Sequence, residues 1–323
     1  MKLQALSSGG LRERLRGDGV TLKLAPFVVR VRSDIPHLAD DIAAMYEDFE
    51  LAAEDEFVDF HVAVLRSPHW LSRLRGRAEF WFDGQRSFTP LPAAQALAML
   101  EWGINWCIAA HAHQFLLIHA AVLERDGRAL VMPAPPGSGK STLCAALAHR
   151  GWRLLSDELG LLDMTTGLIH GMARPINLKN ASIPLIQGFL PEARFSASMP
   201  NTTKGTVALV RAPDDAIAAR LRPARPAWVV LPSWRADAPA QLAPIERARA
   251  FMDLAEQSFN YDLHGRAGFQ ALGRLVDACG CYRFEYSRLD EALALFEALA
   301  ASPAGEAAAP GLSGRPATSG APA

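Results

Sequence analysis

Apolar and polar positions recur along the chain with two periods, and each change of period marks an element. Residues 20–24 and 27–31 alternate as strands, the second ending before Ser33-Asp34. Residues 36–46 take helical spacing, with Ile42, Met45 and Tyr46 on one face and Asp34 as an entry signal. Alternation returns over 57–65, placing Phe60, Val62 and Val64 together. Residues 78–82 followed by Asp83-Gly84 predict a strand and a hairpin turn. A broad apolar helical face spans 92–113, built on Ala94, Leu97, Leu100 and Ile104. Then come an apolar strand over 115–123, a turn at Asp126-Gly127 and a strand over 129–132. A two-residue turn that closes Arg125 onto Arg128 sets an antiparallel register in which His119 falls opposite residue 134.

Beyond that hairpin, residues 140–150 read as a helix ended by Gly151, and 152–156 as a short strand running into Asp157-Glu158. Thr165-Thr166-Gly167 marks a turn before a strand over 169–172. Residues 174–180 read as a loop that could carry Arg174 and Lys179, and 189–203, poor in periodicity, as a mobile loop. Lys204-Gly205 opens a strand over 206–210, and 228–232 is a buried-type strand. Helices over 245–259 and 265–279, a strand over 282–286, and a helix over 289–300 entered from Ser287 and Asp290 complete the pattern. From Ser302 the Ala, Pro, Gly and Ser composition predicts a disordered tail. The expected fold is α/β: a small α+β N-terminal domain over 1–91, a main domain over 92–301 with a mixed twisted sheet flanked by helices, and the tail over 302–323.

Composition narrows the function classes. The 323 residues are 50% hydrophobic and 21% charged, with a net charge of −1, so there is no electrostatic case for nucleic acid or an anionic membrane. No apolar run has the length of a bilayer span and no signal-peptide core is present, so the expectation is a cytoplasmic protein. Cys107, Cys144, Cys279 and Cys281 form no CxxC, which suits buried thiols better than a disulfide frame or a metal site. His111 and His113 point apart on a helix, which disfavours a metal pair. Trp70, Phe80, Trp81 and Phe82 fit a core or an aromatic recognition surface. Lysine occurs only at 2, 23, 140, 179 and 204, so the three in the central third stand out as phosphate or substrate ligands in an otherwise arginine-based chain.

The chemistry concentrates after the 129–132 strand, in Ala134-Pro135-Pro136-Gly137-Ser138-Gly139-Lys140-Ser141-Thr142. Strand, glycine turn and helix start make the layout of a phosphate-binding loop. Gly137 and Gly139 permit the positive φ that turns backbone N–H groups inward as an anion nest from Pro136 to Lys140. The helix start adds free N–H donors and partial positive charge. Lys140 suits β/γ-phosphates, and the Ser141 hydroxyl suits Mg²⁺. Ala134 occupies the position where the usual pattern has its first Gly. Asp157-Glu158, expected at the end of a strand next to the phosphate-loop strand, can divide two tasks between two carboxylates, metal binding and proton acceptance. His119 reads equally as a core residue or as a site residue beside the nucleotide.

Ile118-His119-Ala120, Gly137-Ser138-Gly139-Lys140-Ser141 and Ser156-Asp157-Glu158 together resemble the catalytic core of bacterial HPr kinase/phosphorylase. A closer resemblance, reaching to about residue 300, is to the HprK-related kinase A family. It rests on residues 57–62, on Glu101-Trp102-Gly103-Ile104-Asn105-Trp106-Cys107, on His111-Ala112-His113-Gln114, on Pro133 to Gly137, on Lys204-Gly205-Thr206 and on Ala250-Phe251-Met252. The resemblance implies a P-loop kinase core related to phosphoenolpyruvate carboxykinase, ATP with Mg²⁺, and phosphoryl transfer to a Ser/Thr-type hydroxyl. It also implies a peptide or small-protein acceptor, a PqqD-like peptide chaperone as partner, and a homo-oligomer. Glu158 stands where HPr kinases have a second Asp, and the downstream HPr kinase signature is absent, with residues 174–179 in its place.

The expected cofactor-binding set is Pro136, Gly137, Ser138, Gly139, Lys140, Ser141 and Thr142, with Ser141, Asp157 and Glu158 as metal ligands. Asp157 or Glu158 supplies the base, His119 orients it or senses the γ-phosphate, and Lys140, Lys204 or Arg174 stabilises the transferring phosphoryl. Two other readings stay open: a nucleotide-gated peptide-binding module without transfer, and a small-molecule hydroxyl kinase.

Overall fold

The structure is a computed structural model that describes residues 1–135 and 137–302. The expected tail beyond Ser302, like Pro136, lies outside the described residues. The fold is mixed α/β.

The N-terminal part contains α1 (Ser8–Arg16), β1 (Val20–Leu24), β2 (Phe27–Ser33), α2 (Pro36–Tyr46), β3 (Phe60–Arg66), α3 (Trp70–Leu74), β4 (Arg77–Phe82), β5 (Gln85–Arg86) and β6 (Leu91–Pro92). Its sheet runs β1-β2-β3-β4-β5, with β6 also on β4. β2 and β3 are parallel. Strict alternation in β2 sends Phe27, Val29 and Val31 into the core. The aromatic group divides by residue: Phe80 is core, Trp81 and Phe82 are half-buried, and Trp70 is exposed. α4 (Ala96–His111) packs on β3, β4 and α2. Gly103 makes that approach possible, since a Cβ there would sit 2.0 Å from the Phe80 ring.

The hairpin that follows, β7 (Leu116–Arg125) and β8 (Arg128–Pro133), has the predicted register from Arg125 with Arg128 to Ala120 with Pro133. Its turn needs left-handed backbone at both Asp126 and Gly127. His119 and Ala134 lie one step beyond the last paired residues of this ladder. The chain continues through α5 (Lys140–Ala148), β9 (Arg153–Ser156), β10 (Leu159–Leu162), β11 (Ile169–His170), β12 (Ile176–Lys179), α6 (Ser182–Phe189), β13 (Met199–Thr202), β14 (Gly205–Val210) and α7 (Asp214–Ala218). It ends with β15 (Arg225–Trp234), β16 (Gln241–Pro244), α8 (Arg247–Glu256), α9 (Tyr261–Ala278, bent at Gly265), β17 (Gly280–Tyr286) and α10 (Leu289–Ala301).

The central sheet runs β11-β10-β7-β8-β15-β17-β16, with β9 also on β7. β8, β15 and β17 are parallel neighbours, so their carboxyl ends lie along one edge, where the glycine turn leaves β8. That edge is where ligands bind in open α/β sheets. The sheet's two faces feed separate apolar clusters. Leu117, Ala121, Leu123, Leu130 and Met132 join a cluster with Leu143, Leu147 and Phe296, continuous with the N-terminal core. Leu116, Ile118, Val122, Val131 and Val229 pack with Leu254, Leu272 and Leu275. All four cysteines are buried and free. Among the described residues no helix is long and apolar enough to cross a membrane.

Four sequence expectations are corrected. The strand before Asp157-Glu158 is not next to the phosphate-loop strand, because β9 and β8 flank β7 on opposite sides. Residues 176–179 form strand β12, not a loop, because Ile176 and Leu178 are buried against β14. The expected mobile loop contains the last residue of α6, Phe189, and β13, which pairs with β14. Ser287 does not cap α10; its hydroxyl donates to the Ala238 carbonyl at 2.8 Å, and Arg288 takes the cap position.

Candidate active site

Gly137 and Gly139 both have φ +88°, in the left-handed region that favours glycine. The turn is braced from the neighbouring parallel strands. The Trp234 amide donates to the Ser138 carbonyl at 3.0 Å, and the Tyr286 hydroxyl donates to the Gly139 carbonyl at 3.0 Å. Gly139 is the N-cap of α5, and no side chain caps that helix end. Its first N–H groups and partial positive charge therefore face the mouth of the turn. Ser141 and Thr142, in the first turn, are half-buried.

Lys140 points inward and is only 7% exposed, yet its ammonium has no hydrogen-bond partner among the described residues. The Ser138 hydroxyl is likewise buried without a partner. Burial pushes Lys140 down to about 8, against the pull of Glu158 and then Asp157, both near enough to favour the charged form.

Those carboxylates sit at a bend between β9 and β10, with Ser156 opposite Val122 and Leu159 opposite His119, just past a register shift between β9 and β7. The Leu159 amide donates to the Ser156 hydroxyl at 3.0 Å and holds the bend. Asp157 is 7% exposed, and its Oδ2 accepts from the Asn177 amide on β12 at 2.9 Å. Burial, then the charge of Glu158, raises its carboxyl to about 7. Glu158 is half-buried, and its Oε2 accepts from Asn105 Nδ2 at 2.5 Å.

His119 is half-buried, with Nδ1 3.2 Å from Gln257 Oε1 and its ring 5.7 Å from that of Phe259. Burial and then Lys140 lower its basicity, with Gln257 and Glu158 opposing, which favours the neutral imidazole. Lys204, before β14, is exposed, lies 4.9 Å over the Trp102 ring and feels the field of Glu158 and Asp157. Arg174 is 5% exposed, with Nη1 2.8 Å from Glu101 Oε2 and Nη2 donating to Asn105 Oδ1. Both terminal nitrogens are thus engaged, and the guanidinium also feels the charge of Asp157 and Glu158.

His119, Lys140, Asp157, Glu158 and Lys204 thus share one electrostatic neighbourhood at the carboxyl edge of the sheet. Glu101, Asn105, Asn177, Lys179 and Gln257 also belong to it, and none was singled out from sequence as a site residue apart from Lys179's candidacy. The available signal was Glu101 and Asn105, two polar residues one turn apart on a strongly apolar helix. Among the described residues no group of three or more His, Cys, Asp or Glu side chains could hold a metal alone. Ser141 with Asp157 and Glu158 suits Mg²⁺, which takes one or two carboxylates and completes its shell with phosphate and water. An uncapped helix start and an unpartnered buried ammonium suit the phosphates.

A family model described as SynChlorMet cassette protein ScmC matches residues 93–233. No curated protein matches the chain. The ScmC-like span is less than half of the chain, begins just before α4 and ends within β15, and it includes the glycine turn, both carboxylates, His119, Arg174 and Lys204.

Proposed function

We propose that this chain is an ATP- and Mg²⁺-dependent kinase of the HprK-related kind. It would transfer a γ-phosphoryl group to a Ser/Thr-type hydroxyl of a peptide or small protein, on a P-loop core like that of HPr kinase and phosphoenolpyruvate carboxykinase. The observation that carries the reading is Lys140: an ammonium buried without a partner is costly, and a phosphate would supply its counter-charge. The peptide acceptor and a PqqD-like chaperone as partner are supported by the family resemblance.

Backbone N–H groups of the 137–140 turn and the α5 start hold the phosphates, and Lys140 neutralises charge on the γ-phosphoryl. Mg²⁺ held there would supply positive charge that offsets the negative charge of the phosphates. Asp157, enclosed and fixed by the Asn177 amide, is assigned to the metal with Ser141. Glu158 is the more accessible carboxylate and is assigned to accept the hydroxyl proton, since an incoming acceptor must touch its base. His119, within the field of Glu158 and Lys140 and with its basicity lowered by burial, is assigned to orient the base or sense the γ-phosphate. Lys204, exposed over the Trp102 ring and within the field of Glu158 and Asp157, is assigned to stabilise the transferring phosphoryl.

Incubation of the full chain with Mg²⁺ and γ-labelled ATP in the presence of candidate peptides tests the reading. Lys140→Ala is expected to lower turnover at least about 100-fold. Glu158→Gln should keep ATP binding while transfer falls about 10²- to 10⁴-fold. Asp157→Asn should weaken Mg²⁺ dependence first. Wild-type turnover in Lys140→Ala rejects the nucleotide site, and label found only as free phosphate favours a nucleotide-gated binding module.

A further inference from the structure

A polar chain, buried at Tyr46, Glu101 and Arg174 and half-buried at Asn105, crosses from the N-terminal sheet unit to Glu158. Tyr46 closes α2 and is 1% exposed. Its hydroxyl donates to Glu101 Oε1 on α4. Glu101, 3% exposed, uses its other oxygen to accept from Arg174 Nη1 at 2.8 Å. Arg174 Nη2 donates to Asn105 Oδ1, and Asn105 Nδ2 donates to Glu158 Oε2 at 2.5 Å. Glu101 and Asn105 are four residues apart on one helix face, so α4 aligns the two links.

The order of donors and acceptors is fixed by chemistry. A guanidinium only donates, so the Asn105 carbonyl must turn towards Arg174 and its NH₂ towards Glu158. Glu101 in turn is held by one donor at each oxygen. Each group leaves the next a single orientation. Stability alone does not account for the arrangement. Buried ion pairs of this kind are commonly no more stable than apolar side chains of similar volume, and Arg174 Nε is buried with no partner among the described residues.

We propose that Tyr46, Glu101, Arg174 and Asn105 form a positioning relay through which the N-terminal unit sets the orientation of Glu158 for proton acceptance. The proposal rests on the phosphotransferase reading above for what Glu158 does. The relay makes catalysis sensitive to any ligand or partner that shifts α2 against α4. It also gives Arg174 a positioning role, exerted on Glu158 through Asn105.

The test measures Mg²⁺-dependent turnover of γ-labelled ATP by the full chain with water as acceptor, resolving kcat from KM for ATP. Asn105→Leu removes both amide bonds at similar volume and should lower kcat about 10- to 100-fold with KM for ATP within about twofold. Tyr46→Phe should lower kcat about 3- to 10-fold, and the double variant should be no slower than Asn105→Leu alone, because both act through Glu158. Losses that multiply in the double variant, or a raised KM with kcat intact, overturn the relay. Amide exchange over residues 153–162 separates the two readings. Tyr46→Phe should speed exchange around Glu158 about threefold or more, and unchanged exchange there overturns the relay whatever the turnover. A wild-type protein that releases label neither to water nor to the candidate peptides overturns the phosphotransferase reading, while the exchange result still decides whether the relay reaches Glu158.

Discussion

Removal from water acts in opposite senses on two enclosed charges of the site, Asp157 and Lys140, and each sense has a measurable pH signature. Burial and then Glu158 disfavour the ionised form of Asp157 and push its carboxyl up from an ordinary 3.8 to about 7 in the folded chain. Between those values the folded state holds more protons than the unfolded one, so stability of the nucleotide-free protein falls as pH rises through that window. The penalty is absent below it and complete above it. Asp157→Asn removes the charge and keeps an acceptor for the Asn177 amide. At about pH 8 the variant should exceed wild type by on the order of 1–3 kcal/mol, several degrees in Tm, with the gap closing towards about pH 4. Thermal melts across that range check it, and equal Tm at pH 8 would show that Asp157 carries no burial penalty. Lys140 shows the converse pattern. Its pKa is lowered from 10.5 to about 8, so its penalty is present below about 8 and fades as pH rises towards 10.5. Lys140→Met should stabilise the nucleotide-free chain most at neutral pH while removing turnover, the trade expected where a site stores unsatisfied charge for a ligand.

At the scale of elements, the glycine turn depends on strands far away in sequence. A Cβ on Gly139 would lie 2.5 Å from the Tyr286 hydroxyl at the end of β17 and 3.0 Å from Trp234 Cβ at the end of β15, in a left-handed backbone besides. Gly139→Ala is therefore expected to destabilise by about 2–4 kcal/mol. Adding Tyr286→Phe should recover only part, since it removes the hydroxyl but leaves the φ strain; a shift in denaturant midpoint measures both, and full recovery would show that the backbone is unstrained. The same contrast explains what could be read from sequence. Local signals sufficed for helix 36–46, for the register that brings His119 to the level of Ala134, and for Gly137-Ser138-Gly139-Lys140, because periodicity and turn chemistry are short-range. They could not place β9, whose partner strand was a choice among several apolar strands and fell to β7. Nor could they turn 176–179 from loop to strand, since its pairing with β14 is formed across some thirty residues. Asn105 carried no motif chemistry of its own; only the fold showed that an amide on an apolar helix reaches Glu158.

For the whole molecule, the division into a 1–91 domain and a 92–301 domain is a statement about cooperativity. The apolar cluster that holds Phe27, Val29, Tyr46 and Phe80 also holds Leu97, Ile104, Leu117, Leu143 and Phe296, without a break at residue 92. α4, the first long helix after that point, packs on β3 and β4, so cutting there would expose the face built by Leu97, Leu100 and Ile104. Charges also bind the two parts together: Arg194 reaches Glu47 at 2.7 Å, Arg211 bonds Asp48, and Arg220 reaches Glu50 at 2.8 Å. Arg211 is only 12% exposed at the side chain, so this junction is less screened than a surface pair. A shared core of this kind couples the two parts' unfolding. Calorimetry of the full chain should give one transition with calorimetric and van't Hoff enthalpies in agreement. A fragment of residues 92–301 should melt without a cooperative transition and bind apolar dyes. Two resolved transitions, or a fragment that melts cooperatively at the wild-type temperature, would mean that the N-terminal sheet is an independent unit. In that case Tyr46 would be joined to the active site by its hydrogen bond to Glu101 and not by a common core.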